Sequence, residues 1–284
     1  MNKTLTKMLP IVIGKYFNAQ SYVFPKFTAA QAIRLFCSPR SGRIRPKDAA
    51  FLNKAEHQDS FATTYGRIQY YQWNPSEKKT VLLLHGWESN AARWRNVINI
   101  LVAEGYHAVA IDAPAHGSSA NRQFDMIQYI EAINAAVKKF SPQALVGHSV
   151  GGASIGFYLS EFEYPPFEKL ILLGTPTELT QMVNTYTSTL GLSVRMIRLM
   201  NEQFDATFSR PIDSISASKM VANIEIPTLI IHDKDDPVIS VKDAAEYHAL
   251  LPNSELFITQ KFGHGLQHKS VFQKVISFLK QNHN

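Results

Sequence analysis

The stretch QALVGHSVGG, residues 143–152, decides how the rest of the chain reads. An apolar run (Ala144, Leu145, Val146) stops at Gly147, and Gly151, Gly152 and Ala153 then open a segment with Ile155, Tyr158 and Leu159 on a helical period. The pattern is a buried strand, a sharp turn and a helix, with Ser149 at the turn. Gly147-x-Ser149-x-Gly151 has the spacing of a nucleophile elbow. A hydroxyl can attack a carbonyl only if it stands clear of the sheet, so the backbone must turn steeply at the serine. Strand and helix then approach too closely for side chains two residues to either side, and glycine fits both places.

The totals around this stretch suit an α/β protein. At 284 residues the chain can form one large domain or two small ones. Its 45% hydrophobic and 18% charged residues describe a globular protein with ample core, not a disordered one. No run reaches ~18 consecutive apolar residues, so no spanning helix is expected. The lone cysteine, Cys37, leaves no internal disulfide and suits a cytoplasmic setting. The net charge of +6 is unevenly spread. Residues 1–50 carry nine Lys/Arg against one acid, Asp48, a balance of +8 that leaves −2 for the remainder. That near-neutral remainder argues against a nucleic-acid partner.

Strands and helices alternate outward from the elbow. Residues 61–73 read as two strands turning at Gly66, and 79–84 as a strand ending in His85-Gly86-Trp87. A helix is expected over 90–104, a strand over 107–111 ending at Asp112, and a helix over 125–140. After the elbow, 170–173, 228–231 and 255–259 read as strands, with helices over 241–250 and 271–279. Residues 177–222 break the rhythm with amphipathic helical stripes and no strand. The expectation is a mostly parallel, doubly wound sheet with a helical insertion.

A serine hydroxyl needs a base to remove its proton and a carboxylate to orient that base. In an open parallel sheet both should lie just past the carboxyl ends of strands. His264, in KFGHG (261–265), follows the last strand in a glycine loop and is the best base. His85 and His232 also end strands, and His148 is expected to face away from a substrate on Ser149. For the acid, IIHDKDDPV (230–238) offers Asp233, Asp235 and Asp236.

With these residues in view the chain resembles an α/β-hydrolase-fold serine hydrolase of the small bacterial esterase type over residues ~60–284. The resemblance rests on LLLHGW (82–87), DAPAHGSS (112–119), GHSVGG (147–152), PTLIIHDKDDPV (227–238) and FGHG (262–265), in the order Ser…Asp…His. It implies Asp236 as the acid, with Asp235 as a rival one residue away. It departs from the family at Asp233, where glycine is usual. It further implies an oxyanion hole made by the backbone N–H groups of Trp87 and Val150. Lipase-like relatives often carry a longer glycine run where this chain has Trp87-Glu88.

The expected organisation is a basic, partly helical extension over 1–59 and a hydrolase domain over 60–284, with residues 177–222 as a helical cap above Ser149. His85, Trp94, Met182 and Tyr186 are candidate pocket residues, Trp94 having a packed helix face as its other reading. The expected reaction is cleavage of short- to medium-chain carboxylic esters through an acyl-enzyme. Thioesterase, lactonase or perhydrolase chemistry, and a noncatalytic small-molecule-binding protein on the same fold, are the alternatives. Neither HExxH nor a phosphate-binding GxxxxGK occurs, so no metal or cofactor is implied. For residues 1–36 the readings are helices packed on the main domain, an interfacial membrane helix, or a targeting segment. Pro10 and Pro25 are expected to interrupt any long helix there. The basic loop PRSGRIRPK (39–47) is either a solvated connection or a dock for anionic headgroups.

Overall fold

The computed structural model describes residues 3–208, 211–222 and 224–281, so the tail histidine His283 lies outside the described residues. The chain opens with α1 (Lys3–Gln20), α2 (Pro25–Phe36) and α3 (Pro46–Leu52), then β1 (His57–Thr63), β2 (Gly66–Trp73) and β3 (Thr80–Leu84). A 3₁₀ turn (Ala91–Trp94) leads into α4 (Arg95–Ala103). Alternation follows through β4 (His107–Ile111), α5 (Met126–Phe140), β5 (Ala144–His148), α6 (Val150–Glu161) and β6 (Lys169–Leu173). Next come α7 (Leu179–Leu190), α8 (Val194–Phe208) and the short α9 (Ala217–Met220). The chain closes with β7 (Thr228–Asp233), α10 (Val241–Leu250), β8 (Ser254–Thr259) and α11 (Lys269–Lys280). Two compact units result: Met1–Ser38 with Glu178–Ser216, and Pro39–Thr177 with Ala217–Asn284.

The second unit is built on an eight-stranded sheet in the order β1-β2-β4-β3-β5-β6-β7-β8. β1 and β2 pair antiparallel, as do β2 and β4; every later pair is parallel. Strands β3 to β7 are buried at every residue, the reason they read as near-continuous apolar runs. On one face Val81, Leu83, Ala110, Val146 and Ile231 join Ile98 and Leu101 of α4 and Val275 and Phe278 of α11. Alternate residues such as Leu82, Val109 and Leu145 point to the other face, where α6 packs on β5 beside α5 and α9, and α10 lies on β7 and β8. The sheet grows one way from β3 through β4 and the other way through β5, which puts the switch point between β3 and β5. A crevice at their carboxyl ends is where such sheets bind ligands.

One buried cation is spent on this frame. Lys169, at the start of β6, donates from its ammonium to the carbonyls of Phe278, Leu279 and Gln281, closing the carboxyl end of α11. Burial lowers its pKa, and the three carbonyls replace the water it has lost.

The first unit is all helical. Phe17 of α1, Ala29 and Ala32 of α2, Tyr186 and Leu190 of α7, and Met196 and Met200 of α8 form its core. Asn18 ties its ends: its amide donates to the Gly191 carbonyl at 3.0 Å and its oxygen accepts from the Ser193 amide at 2.8 Å. Pro25 does start a helix, as α2's first residue. Pro10, by contrast, lies inside a continuous α1, where it can donate no backbone hydrogen bond and its ring crowds the carbonyl four residues earlier.

The division at residue 59 also differs from the structure, in which residues from Pro39 onward belong with the sheet. The basic loop is largely committed there. Arg43 donates to the carbonyls of Gly117, Ser119 and Asn121, while Arg45 pairs with the buried Asp48 at 2.7 Å.

Candidate active site

Ser149 sits between β5 and α6 with φ 54° and ψ −125°, a left-handed backbone forced on a non-glycine residue. Its amide donates to the Leu173 carbonyl at 2.8 Å, pinning the turn against β6. A Cβ at Gly147 would fall 2.5 Å from Gly152 Cα, and one at Gly151 2.3 Å from the Leu84 carbonyl oxygen, so the tight turn excludes side chains at both.

Three groups converge here. His264 Nε2 lies 3.0 Å from Ser149 Oγ, and His264 Nδ1 lies 2.7 Å from Asp236 Oδ2. A carboxylate only accepts, so Nδ1 carries the proton and Nε2 is left to accept from the serine. Asp235 is exposed, whereas the Asp236 side chain is fully buried. Burial alone would raise the Asp236 pKa. Hydrogen bonds from His232, His264 and the amides of Val238 and Ile239 outweigh it and hold the group ionised well below the usual carboxylate range.

A surrounding network fixes the loops that carry the acid and the base. Asp233, fully buried at the end of β7, accepts from Thr259 Oγ1 at 2.8 Å, the Phe262 amide at 2.9 Å and the Asp235 amide at 3.0 Å. It thereby joins the acid loop to the loop bearing His264. Burial pushes its pKa up, but these donors bring it down on balance. His232 Nε2–H donates to the Ile239 carbonyl at 3.0 Å and leans on Asp236 at 3.4 Å. His148 donates from Nε2 to the His264 carbonyl at 2.8 Å, and Arg93 donates to the Gly265 carbonyl at 3.0 Å. His148 is held neutral, first by burial and then by the Arg93 charge. Asp233 and His148 had sequence signals, a broken family glycine and adjacency to Ser149. Nothing in sequence marks Arg93.

Gly86 brings the end of β3 against the elbow, since a Cβ there would stand 2.9 Å from Ser149 Cβ. The next residue, Trp87, is half-buried, its ring edge-on to His116 and Phe124. Among the described residues neither the Trp87 nor the Val150 amide has a protein acceptor.

The pocket candidates fare differently. His85 is fully buried with both ring nitrogens engaged, Nδ1 with the Gly86 carbonyl at 2.7 Å and Nε2 with the Ala113 amide at 2.9 Å. It ties the ends of β3 and β4 together. Trp94 is buried among the α4–α11 core residues, its packed-face reading. Tyr186 is spent inside the helical unit, its hydroxyl donating to the Ala32 carbonyl at 2.8 Å and its ring against Phe36. Met182 is half-buried on α7.

A mostly parallel sheet with a serine elbow at its switch point is the architecture of α/β-hydrolase-fold serine hydrolases, and comparison with known proteins agrees. The family model described as serine aminopeptidase, S33, matches residues 75–219, half of the chain. A second, described as TAP-like protein, matches residues 203–284. The chain therefore belongs to the serine aminopeptidase S33 family of hydrolases. It is similar to the bifunctional esterase/perhydrolase DCH of Acinetobacter calcoaceticus, 25% identical over 75% of this chain and 96% of that one. It is also similar to a serine hydrolase-like protein of Danio rerio, 27% identical over 56% of this chain, which spans about half (51%) of that relative. The Pyrococcus furiosus esterase Pf2001 shares the fold with a TM-score of 0.64 at 24% identity, covering 86% of this chain and 96% of that one.

Proposed function

We propose that the protein hydrolyses carboxylic esters of short to medium acyl chain through an acyl-enzyme. The observation that carries this reading is the aligned relay Ser149 Oγ–His264 Nε2 (3.0 Å) and His264 Nδ1–Asp236 (2.7 Å) at the sheet's switch point. Ser149 Oγ attacks the ester carbonyl carbon while its proton passes to His264 Nε2, and ionised Asp236 stabilises the imidazolium. The Trp87 and Val150 amides, with no protein acceptor to leave, donate to the oxyanion. Collapse expels the alkoxide, which takes the proton from His264 and leaves the acyl group on Oγ. Water, deprotonated by His264, then attacks the acyl carbon and releases the acid and free Ser149. Hydrogen peroxide could replace that water as acyl acceptor, a second reading favoured by the relative named an esterase/perhydrolase.

The helical insertion begins at residue 178, shortly after the carboxyl end of β6. The test is Ser149→Ala, expected to lower kcat for p-nitrophenyl esters by about 10⁴–10⁶ and to abolish fluorophosphonate labelling. An acetate-to-palmitate series reads chain preference. Zero turnover of the whole series by a labelled-site-free wild type would leave the noncatalytic binding reading instead.

A further inference from the structure

The helical unit leaves a large apolar surface uncovered at one end. Met8, Ile11, Val12 and Tyr16 project from one side of α1, and Phe17 and Gly14 are buried on the other. The turn that follows adds Tyr22, Val23 and Phe24, and the first turn of α2 adds Phe27. These side chains and Leu9 are each 50–73% exposed, nine large hydrophobic residues within twenty positions. Isolated surface hydrophobics are ordinary, but a contiguous set of this size marks a contact surface.

Charge says which contact. Lys15 and Lys26 are exposed within the same stretch, Lys3 and Lys7 precede it, and no Asp or Glu occurs before Asp48. A second copy of this chain seated face to face would set these cations against one another. An anionic lipid surface would pair them and take up the aromatic and aliphatic side chains, as interfacial helices do. No helix among the described residues is long and apolar enough to cross a membrane.

We propose that α1, the α1–α2 turn and the first turn of α2 form a docking face for anionic membrane surface, with the side chains of Val12, Tyr16, Phe24 and Phe27 entering the headgroup–acyl boundary. The apolar side chains supply the hold, and Lys15 and Lys26 supply the preference for anionic lipid. This differs from a purely electrostatic arm, because the hold comes from apolar side chains, and of the 39–47 cations Arg43 and Arg45 are engaged within the sheet unit.

The test is co-sedimentation of the full chain with phosphatidylcholine vesicles, with and without about one-third phosphatidylglycerol, at low and high salt. Binding to the anionic vesicles is expected, weakened by salt and by Lys15→Gln with Lys26→Gln. The set Val12→Ser, Tyr16→Ser, Phe24→Ser and Phe27→Ser should lower the partition coefficient about tenfold or more. These positions are exposed, so circular dichroism and p-nitrophenyl acetate turnover should be unchanged and serve as fold controls. If turnover is absent in the wild type, the ester reading fails while the vesicle result still stands. No binding at low salt, equal binding to neutral vesicles, or binding indifferent to the serine set would overturn the proposal. So would a lipid-free, concentration-dependent dimer that the serine set abolishes, since a second copy would then be the occupant.

Discussion

The sheet unit and the helical unit bury different things. At the carboxyl edge of its strands the sheet unit buries polar and charged groups, among them His85, Asp112, His148, His232 and Asp233. Asp112 alone, fully buried, accepts from the Tyr71 hydroxyl and the amides of Ala91 and Ser118. The helical unit's core is aliphatic and aromatic, with two methionines, two alanines and Tyr186 as its one phenol. A buried polar network permits few arrangements, because each displaced member strands a partner, although the Nδ1 atoms of His148 and His232 have no partner among the described residues. The difference teaches that directional hydrogen bonds hold the candidate acid and base in place, whereas the helical unit's core rests on apolar packing.

The sharpest way to break this contrast is at the acid. Asp236→Asn keeps the shape of the side chain but removes the charge that fixes the His264 tautomer. Ester turnover should fall by about 10⁴, the cost of the same change in a Ser-His-Asp triad, with the fold intact. A loss under tenfold would mean that the buried network is a frame for something other than acyl transfer.

Asp233→Gly, which restores the residue usual in the resembling family, should have the next largest effect. It would strand the Thr259 hydroxyl and the Phe262 amide and detach the two loops they join. About 2–4 kcal/mol of stability should be lost. A urea midpoint reads that loss, and kcat should fall more than KM rises because His264 is mispositioned. Asp233→Asn should recover part of both. An unchanged kcat at lowered stability would make Asp233 structural only. The helical counterpart is Tyr186→Phe, which leaves the Ala32 carbonyl short of a donor at a cost of about 1 kcal/mol. It should leave acyl preference unchanged, since the phenol is committed within its own unit.

The same contrast explains what was legible in the sequence. In the sheet unit each strand ends in its chemistry, so the local pattern around Ser149, His264 and 230–238 placed the candidates within a residue or two of their loops. The residues alone left Asp236 and Asp235 as neighbours and only the resemblance favoured Asp236, because the fold of the acid loop is what buries one side chain and exposes the other. His85 and Trp94 misled because a strand end and a helix face can point either to a cleft or into the core, and burial decides which. The helical unit was harder. Its halves, residues 1–38 and 178–216, are far apart in sequence, and the apolar stripes of α1 and α7 do not name their partners. Tyr186 therefore read as a pocket residue, and residues 1–59 read as one extension although the arginines of the 39–47 loop bond within the sheet unit.

The smallest effect per residue distinguishes the two units by pH. The helical unit contains no histidine, whereas the sheet unit buries His85 and His148, both held neutral well below the ordinary histidine pKa. The chief cause is burial in each case, with His116 adding to it at His85 and Arg93 at His148. The unfolded chain protonates these residues near pH 6.5 while the folded one does not. The unfolded state therefore binds more protons as pH falls, so stability is full above about pH 7 and declines below 6.5. Between pH 7 and 6 each histidine should cost about 0.7 kcal/mol. The lowered pKa values of Asp233 and Asp236 act only further down, below the ordinary carboxylate value, whereas the raised one of Asp112 acts above that value and in the opposite sense. All three tryptophans, Trp73, Trp87 and Trp94, lie in the sheet unit, so tryptophan fluorescence in urea follows that unit alone. Its midpoint should drop from pH 7 to 6, while amide exchange in α1, α2, α7 and α8, corrected for intrinsic rate, should keep its protection. Equal loss of protection in the helices would show that the two units unfold together and that the buried histidines govern both.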